Sequence, residues 1–346
     1  MKKTIISVMA LAGLMLLPSC KGSKDNNLSG AGATFPEPYY KMIFKKFTEQ
    51  TKADVSYGAI GSGGGYRSLK DRTVDFGASD VFLSEEEMNV LPAPAIHIPT
   101  TMGAVVLSFN IDGVDSLKLD SDLISGIFLG TIKTWDDPAI AKENADVKLP
   151  STPITVVYRS DGSGSTAVFS QYMSKVNAEW KDKIGEGKSL NFPVGVSAKG
   201  NAGVAGLIAE TKGAIGYIGS EYAMAMNLKM AQLKNKSGRF ISVNTKSISA
   251  AANVNMPEDT RTFITDSDNP DAYPISTLTW ILVYKEQKYD GRSIDKAKSL
   301  KALLQFILSD ESQALAPQIN YAPLSGVALE KARKAVENMT YDGKKL

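Results

Sequence analysis

The sequence predicts an α/β protein, and three observations lead to that fold class. Short stretches of alternating or continuous apolar residues, typical of strands, recur along the chain. Glycine-rich turns follow several of these stretches, and apolar residues at helical spacing resume after the turns. Strand, turn and helix in repeated alternation are the pattern of an α/β protein with a mostly parallel sheet.

Each predicted element rests on its own local pattern. Strands are predicted where β-branched and aromatic residues alternate or cluster, at residues 54–59, 74–78, 102–110, 154–158, 214–218 and 280–284. Helices are predicted from apolar residues at helical spacing over residues 66–72, from residue 167 onward and over residues 299–308. Ser84, followed by Glu87, has the spacing of a capping box and predicts one more helix start.

Composition excludes several functional classes. The chain has 346 residues, 43% hydrophobic and 22% charged, which supplies a substantial core and argues against disorder. Its net charge of +2 equals the contribution of Lys2 and Lys3, so the rest is neutral and lacks the basic surplus of a nucleic-acid binder. A single histidine and a single cysteine exclude an intrachain disulfide and disfavour a zinc site.

The N-terminus has the features of a bacterial lipoprotein leader. Two lysines precede about 13 apolar residues, too few to span a membrane as a helix, and small residues lead up to Cys20. This looks like a lipobox, in which residues 1–19 are a signal peptide, Cys20 becomes acylated and residues 20–27 form a lipidated, flexible tether. The alternative is that Cys20 is an idle thiol. No other stretch of the sequence is apolar enough to span a bilayer.

Three strand-to-helix turns offer the same kind of site. Thr34 follows a run of glycine and alanine and precedes a helix with Pro36 near its start, and Ser62 precedes three glycines. Residues 163–166 open a third helix, with Arg159 just before it. Hydroxyls, free backbone N–H groups and one guanidinium are suited to binding an oxyanion. Because serine and threonine also cap helices in many proteins, these turns alone leave anion binding and ordinary capping both open.

Other catalytic and nucleotide-binding motifs are incomplete. The tripeptide at 187–189 resembles the end of a P-loop, but Asp182 occupies the position that requires glycine. Neither Ser62 nor Ser163 lies in a G-x-S-x-G motif. His97 lies between Ile96 and Ile98, in what looks like a further short strand, where a lone histidine is more often structural than catalytic. The acidic run 85–87 is expected to be a solvated helix start, and the three tryptophans are expected in the core.

Taken together, six segments resemble the phosphate-binding proteins of bacterial ABC-type phosphate importers, from about residue 28 to the end. They are SGAGATFPEPYY (29–40), GAIGSGGGYRSL (58–69), VDFGASD (74–80), IFLGTIKTWDDPAI (127–140), VVYRSDGSGST (156–166) and GAIGYI (213–218). The resemblance implies the periplasmic-binding-protein fold, in which two α/β lobes joined by crossing strands close on the ligand like a hinge. It places lobe 1 at residues 28–104 and 275–346, lobe 2 at 105–274, and the crossings near 100–103 and 274–277.

The resemblance also implies a set of ligand residues. The phosphate-binding positions are Thr34, Phe35 through its backbone N–H, Ser62, Asp80, Arg159, Ser163, Gly164 and Ser165, with Asp161 holding the guanidinium of Arg159. Ser165 departs from the family, which usually has threonine there. No cofactor, metal or catalytic residue is implied. The expected partners are inorganic phosphate, the ABC permease and the bilayer through Cys20, and the expected state is a monomer outside the cytoplasmic membrane.

Asp80 is expected to decide which anion binds. An ionised aspartate only accepts hydrogen bonds, and phosphate near neutral pH still carries an O–H to donate, whereas sulfate has none. Two alternatives remain open from the residues: a binder of sulfate or molybdate, which Asp80 disfavours, and a phosphohydrolase using Ser163 or Asp80 as nucleophile. The hydrolase needs an activating base or metal.

Overall fold

The computed structural model describes residues 26–346. The predicted signal peptide and Cys20 lie outside these residues, as does most of the predicted tether. The strands are β1 (Leu28–Gly32), β2 (Val55–Ala59), β3 (Phe76–Ser79), β4 (Ala95–Asn110), β5 (Lys118–Leu119), β6 (Thr155–Arg159), β7 (Val196–Ala198), β8 (Ala214–Gly219), β9 (Lys229–Met230), β10 (Gln232–Lys234), β11 (Phe240–Ile241), β12 (Ser276–Tyr284), β13 (Thr340–Tyr341) and β14 (Lys344–Lys345).

Helices lie between these strands in chain order and after β12. They are α1 (Glu37–Thr51), α2 (Ser62–Lys70), α3 (Glu85–Asn89), α4 (Ser121–Phe128), α5 (Pro138–Glu143), α6 (Gly164–Val176), α7 (Ala178–Lys183), α8 (Gly200–Glu210), α9 (Ser220–Ala225), α10 (Thr245–Ala250), α11 (Ile294–Ile307), α12 (Asp310–Leu315), a 3₁₀ turn (Ala316–Ile319) and α13 (Gly326–Glu337). The alternation of strands and helices confirms the α/β class that the sequence predicts.

The main sheet combines two groups of strands. Its order is β2-β1-β3-β12-β4-β8-β6-β7, with β9 added beside β4. In the first group β1 pairs in parallel with β2 and β3, and in the second β6 pairs in parallel with β7 and β8. Strands β4 and β12 are antiparallel to their neighbours. The sheet is therefore mixed, whereas the sequence predicts a mostly parallel one.

Strand β4 links the two groups. Its first part, Ala95 to Ala104, pairs with β12, and its second part, Val105 to Asn110, pairs with β8. Strand β12 runs beside the first part of β4 in the opposite direction, and β8 runs opposite to its second part, so antiparallel pairs separate the two parallel sets.

The core is built from apolar faces of the helices and strands. Helix α1, which follows Thr34, buries Tyr40, Ile43, Phe44 and Phe47, spaced three or four residues apart on one face. The side chains of the three tryptophans are fully buried, as expected, and both hydrogen bonds of the capping box at Ser84 are present.

Helix α2 begins earlier than the sequence predicts. It starts at Ser62 rather than near residue 66, and glycines 63–65 form its first turn. Glycine is a poor helix former, but here it allows a close approach. A Cβ on Gly65 would lie 2.6 Å from both the Ala78 carbonyl oxygen and the Gly32 Cα, so α2 packs directly on β1 and β3 only because this side chain is absent.

Candidate functional site

The predicted site residues converge on one buried cleft between the two strand groups. Thr34, Ser62 and Asp80 follow β1, β2 and β3, and residues 159–165 end β6 and begin α6. The Gly63 N–H donates to the Gly162 carbonyl at 2.9 Å, joining the first group to the second. A Cβ on Gly164 would lie 2.4 Å from Ser62 Oγ and 2.7 Å from Asp80 Oδ2. The structure therefore brings all the predicted positions together, with the two sides in contact.

Thr34 and Phe35 are fixed by contacts with distant parts of the chain. Thr34 Oγ1 accepts from Asn201 Nδ2 at 2.8 Å, and the Thr34 carbonyl accepts from the Tyr222 hydroxyl at 2.6 Å. The Phe35 carbonyl accepts from the Tyr321 hydroxyl at 2.6 Å, and its ring is fully buried. Because both carbonyls are engaged, the peptide carrying the Phe35 N–H is held in one orientation.

Ser62 and Asp80 are linked to each other. The Asp80 backbone N–H donates to Ser62 Oγ at 3.2 Å, which leaves the serine hydroxyl hydrogen to donate elsewhere. Asp80 is buried, and its Oδ1 accepts from Thr279 Oγ1 at 2.9 Å. Burial raises the pKa of Asp80 to about 7, against the lowering effects of the Thr279 hydroxyl bond to its carboxyl group, the Arg159 charge and an interaction of that carboxyl group with the Ser62 hydroxyl. Its protonation state is therefore poised near neutral pH.

Arg159 provides the full positive charge of the cleft. Its side chain is 1% exposed and forms two parallel hydrogen bonds with Asp161, Nε to Oδ1 at 2.8 Å and Nη2 to Oδ2 at 2.5 Å. Asp161 Oδ1 also accepts from the Gly200 N–H at 2.9 Å. Burial alone would raise the pKa of Asp161, but the hydrogen bonds and charge of Arg159, together with backbone N–H bonds including that of Gly200, outweigh burial and lower the pKa. A guanidinium oriented in this way keeps its other N–H groups for a ligand.

The start of helix α6 supplies neutral donors. Ser163 is its N-cap, with Oγ accepting from the Thr166 N–H at 3.0 Å, and Gly164 and Ser165 form its first turn. Ser163 and Ser165 are fully buried. The unpaired N–H groups of a helix's first turn and its positive dipole end favour an anion. Ser165 Oγ lies 3.4 Å from Asn201 Nδ2, so serine at this position keeps a hydroxyl in the cleft.

Comparison with known proteins places this arrangement in a family. A family model described as a PBP superfamily domain matches residues 20–311. The phosphate-binding protein PstS of Xylella fastidiosa is 37% identical over 314 residues, covering 89% of this chain and 84% of that protein. PstS of Pasteurella multocida is 35% identical and covers 94% of both chains. The chain belongs to the PstS family of phosphate-binding proteins.

Solved structures show the same fold. A high-affinity periplasmic phosphate-binding protein crystallised with phosphate (PfluDING) superposes with a TM-score of 0.71 at 22% identity, covering 89% of this chain and 93% of that one. Within residues 26–346, no helix is long and apolar enough to cross a membrane. The same residues contain no group of three or more His, Cys, Asp or Glu side chains placed to hold a metal ion.

Asn201 is a cleft residue that the sequence reasoning missed. It is fully buried at the start of α8, where its Nδ2 reaches Thr34 and Ser165 and its Oδ1 accepts from the Gly219 N–H at 3.0 Å. It therefore connects the turn after β1 with two elements of the second strand group. The only local signal for Asn201 is the glycine that precedes it at a strand-to-helix turn, and this pattern is too common to identify a binding residue.

Glu221 is a second residue without a sequence signal. It is 4% exposed, and neither carboxylate oxygen has a hydrogen-bond partner among the described residues. Burial, with a further contribution from the Asp80 charge, raises the pKa of Glu221 well above its usual range. Asp80 and Glu221 are thus two buried carboxyl groups whose charges interact and that burial favours in the neutral form.

We expect the raised pKa of Asp80 to make stability depend on pH. The pKa of the Asp80 carboxyl group is near 4 in the unfolded chain and about 7 in the folded protein. Its contribution to stability is therefore fully present below about pH 4 and is lost as the pH rises through about 7. The wild type should therefore lose on the order of 4 kcal/mol relative to Asp80→Asn between pH 4 and pH 8. Denaturant unfolding of both proteins in phosphate-free buffer at four pH values measures this difference. All other groups titrate in both proteins, so their effects cancel in the difference between the two unfolding free energies. A difference that stays constant with pH would therefore contradict the raised pKa of Asp80.

Proposed function

We propose that this protein is a high-affinity extracytoplasmic receptor for inorganic phosphate that delivers its ligand to an ABC phosphate permease and performs no chemistry of its own. The observation that carries the proposal is the pairing of a buried, oriented guanidinium with a buried carboxyl across one cleft, Arg159 opposite Asp80. The relatives' names support phosphate as the ligand, and the family supports the transport role.

Each cleft residue has a role in this proposal. Arg159, held by Asp161, neutralises the anion. Neutral donors complete its coordination: the hydroxyls of Thr34, Ser62, Ser163 and Ser165 and the backbone N–H groups of Phe35 and Gly164. Asp80 accepts the remaining phosphate O–H, which requires its ionised form. Directed neutral donors explain how a chain of nearly neutral overall charge can bind an anion tightly.

We further propose that the two strand groups are two closing lobes. Lobe 1 would comprise residues 28–104 and 275–346, and lobe 2 residues 105–274. The continuous course of β4 past residue 104, beside β12 beginning at Ser276, supports crossings at these points. The close contacts across the cleft correspond to a closed arrangement.

Lipid attachment at Cys20, a bilayer-tethered monomer and the absence of nucleic-acid binding remain predictions from the sequence.

Calorimetric titration tests the function. The full-length protein in detergent, stripped of bound anion, is titrated with phosphate and then with sulfate. Tight binding of phosphate with little heat from sulfate is expected, whereas equal binding would favour a general oxyanion binder. Turnover of an aryl phosphate would instead support the hydrolase alternative.

An ion pair across the cleft rim should stabilise the closed arrangement. The sequence predicts that Glu87 is solvated, but it is half-buried and its Oε1 lies 2.5 Å from Lys188 Nζ. Lys188 also lies 5.6 Å from the centre of the Tyr66 ring. Double-mutant analysis with Glu87→Gln and Lys188→Met should give a coupling of about 1 kcal/mol in phosphate affinity, or about fivefold. The exposed pair Glu179–Lys183 within α7 is the matched control, expected to show no coupling. Zero coupling for Glu87–Lys188 would exclude such a role.

A further inference from the structure

Glu221 is a buried carboxyl group that lies close to where the two strand groups meet. It belongs to α9, which follows β8 of the second group. The next residue, Tyr222, donates from its hydroxyl to the Thr34 carbonyl, on the side of the first group, at 2.6 Å. The charge of Asp80 and the hydroxyl of Tyr321, also from that side, act on the Glu221 carboxyl group itself. Glu221 therefore interacts with the opposite side of the cleft.

The Glu221 carboxyl group lacks the partners that a buried negative charge needs. The residue is 4% exposed, and neither oxygen has a hydrogen-bond partner within residues 26–346. The group lies against Gly219, where an added Cβ would overlap its Oε1. An unpaired carboxylate in such a place is strongly unfavourable, and a group of this kind takes up a proton instead.

The groups that face Glu221 supply no positive charge. Among the described residues they are Asp80 after β3, Tyr321 after the 3₁₀ turn and Tyr222 of α9 itself. Glu37 of α1 lies behind Tyr222, with its Oε2 3.3 Å from the tyrosine hydroxyl. None of these four side chains is a base, so an ionised Glu221 would find no counterion among them.

A proton on Glu221 suits the hydrogen bonding around it. The Tyr321 hydroxyl gives its hydrogen to the Phe35 carbonyl at 2.6 Å, so its oxygen is left to accept. A neutral carboxyl group has an O–H to donate, whereas a carboxylate can only accept. Burial, with a further contribution from the Asp80 charge, raises the pKa of Glu221 well above its usual range, against smaller lowering effects of its own backbone N–H and nearby hydroxyls.

We propose that Glu221 takes up one proton when the cleft closes on phosphate, so that the protein binds a phosphate and a proton together. The inference rests on the receptor function and the closing lobes proposed above. When the lobes part, Glu221 meets water and ionises, because an exposed glutamate has a pKa of about 4.3. The proton comes from the solvent on closure and returns to it on opening. Its uptake removes one negative charge from the neighbourhood of Asp80 and the anion, which lowers their mutual repulsion.

The proton should make phosphate affinity depend on pH through Glu221. The closed form holds the proton, so its advantage is lost as the pH rises above the pKa of the exposed group. Because uptake of one proton changes a binding constant about tenfold per pH unit, the affinity of the wild type relative to Glu221→Gln should fall about tenfold from pH 6 to pH 7. Glutamine has nearly the same shape as the neutral acid but does not titrate.

Calorimetric titration counts the proton directly. The full-length protein in detergent, stripped of bound anion, is titrated with inorganic phosphate at pH 7 in buffers that differ in their enthalpy of ionisation. The dependence of the binding heat on that enthalpy gives the protons taken up per phosphate. We expect about one proton more in the wild type than in Glu221→Gln, since phosphate and Asp80 titrate in both proteins. Glu210→Gln, which changes an exposed carboxylate at the end of α8, is the matched control and should give the wild-type count.

A second variant and the binding itself keep the outcomes distinct. Glu221→Met removes the same proton with a side chain suited to burial, so a folding defect in one variant does not leave the count without a result. A proton count equal to that of the wild type in a variant of Glu221 that still binds phosphate overturns the inference and leaves the receptor function standing. Absence of phosphate binding by the wild type overturns both.

Discussion

Replacing Gly164 with alanine should lower the affinity for phosphate at least a hundredfold. The added methyl group would lie 2.4 Å from Ser62 Oγ, 2.7 Å from Asp80 Oδ2 and 2.8 Å from Asp80 Cβ, closer than real Cβ contacts allow. Alanine keeps the backbone N–H at position 164, so the substitution removes no hydrogen-bond donor to the anion. The loss would come from the inability of the two sides of the cleft to meet, which costs about 2.7 kcal/mol or more at this fold-change.

Gly206→Ala provides the control for this substitution. Gly206 is also helical, within α8, but a Cβ there would meet nothing within 4 Å. It should leave phosphate affinity unchanged. Calorimetry gives the affinities, and small-angle scattering with and without phosphate shows whether Gly164→Ala still becomes compact on binding. Wild-type affinity in Gly164→Ala would show that ligand binding does not require the contacts described for the cleft.

Replacing Asp80 with asparagine should remove most of the discrimination between phosphate and sulfate. Asparagine has nearly the same shape and retains an oxygen to accept from Thr279 Oγ1, so the cleft should keep its geometry. The amide can donate to an anion oxygen, whereas an ionised carboxylate presents only lone pairs. Sites that depend on one buried hydrogen bond discriminate by roughly 10⁴-fold. We expect the ratio of phosphate to sulfate affinity to fall by at least a hundredfold, mainly through a gain in sulfate binding.

Competition calorimetry with both anions measures this ratio at pH 8, where the Asp80 carboxyl, with a pKa of about 7, is mostly ionised in the wild type. Asp115→Asn, at an exposed surface position, should behave as the wild type. If the ratio in Asp80→Asn stays at the wild-type value, selectivity comes from the hydroxyls and Arg159 rather than from the carboxylate. Loss of both anions would instead indicate that the substitution disturbs the cleft itself.

Much of the fold and the candidate cleft was accessible from local sequence patterns. Six strands were predicted to within a few residues, except that β4 and β12 extend further in their N-terminal directions. Turns that begin helices carry Thr34, Ser62 and Ser163, because glycine, serine and threonine at such positions have strong local preferences. The phosphate assignment depended on family resemblance, because helix capping explained the same residues equally well.

Other contacts had no local signal. Asn201 reaches Thr34 across 167 positions, and Lys188 meets Glu87 across 101. The burial of Glu221 also depends on packing between elements far apart in the chain. A single sequence records the preferences of each segment but not which segments meet.

The sequence by itself determined the α/β class, the helix starts with their hydroxyl and backbone donors, and an overall charge too low for nonspecific anion attraction. These properties follow from composition and from preferences that act over a few residues. Only the tertiary structure decided that β4 runs continuously from one strand group to the other, and that Arg159 and Asp80 are buried where the two groups meet. It also decided that the pKa of Asp80 lies near 7, because burial depends on the whole surrounding chain and on the contact between the two sides of the cleft.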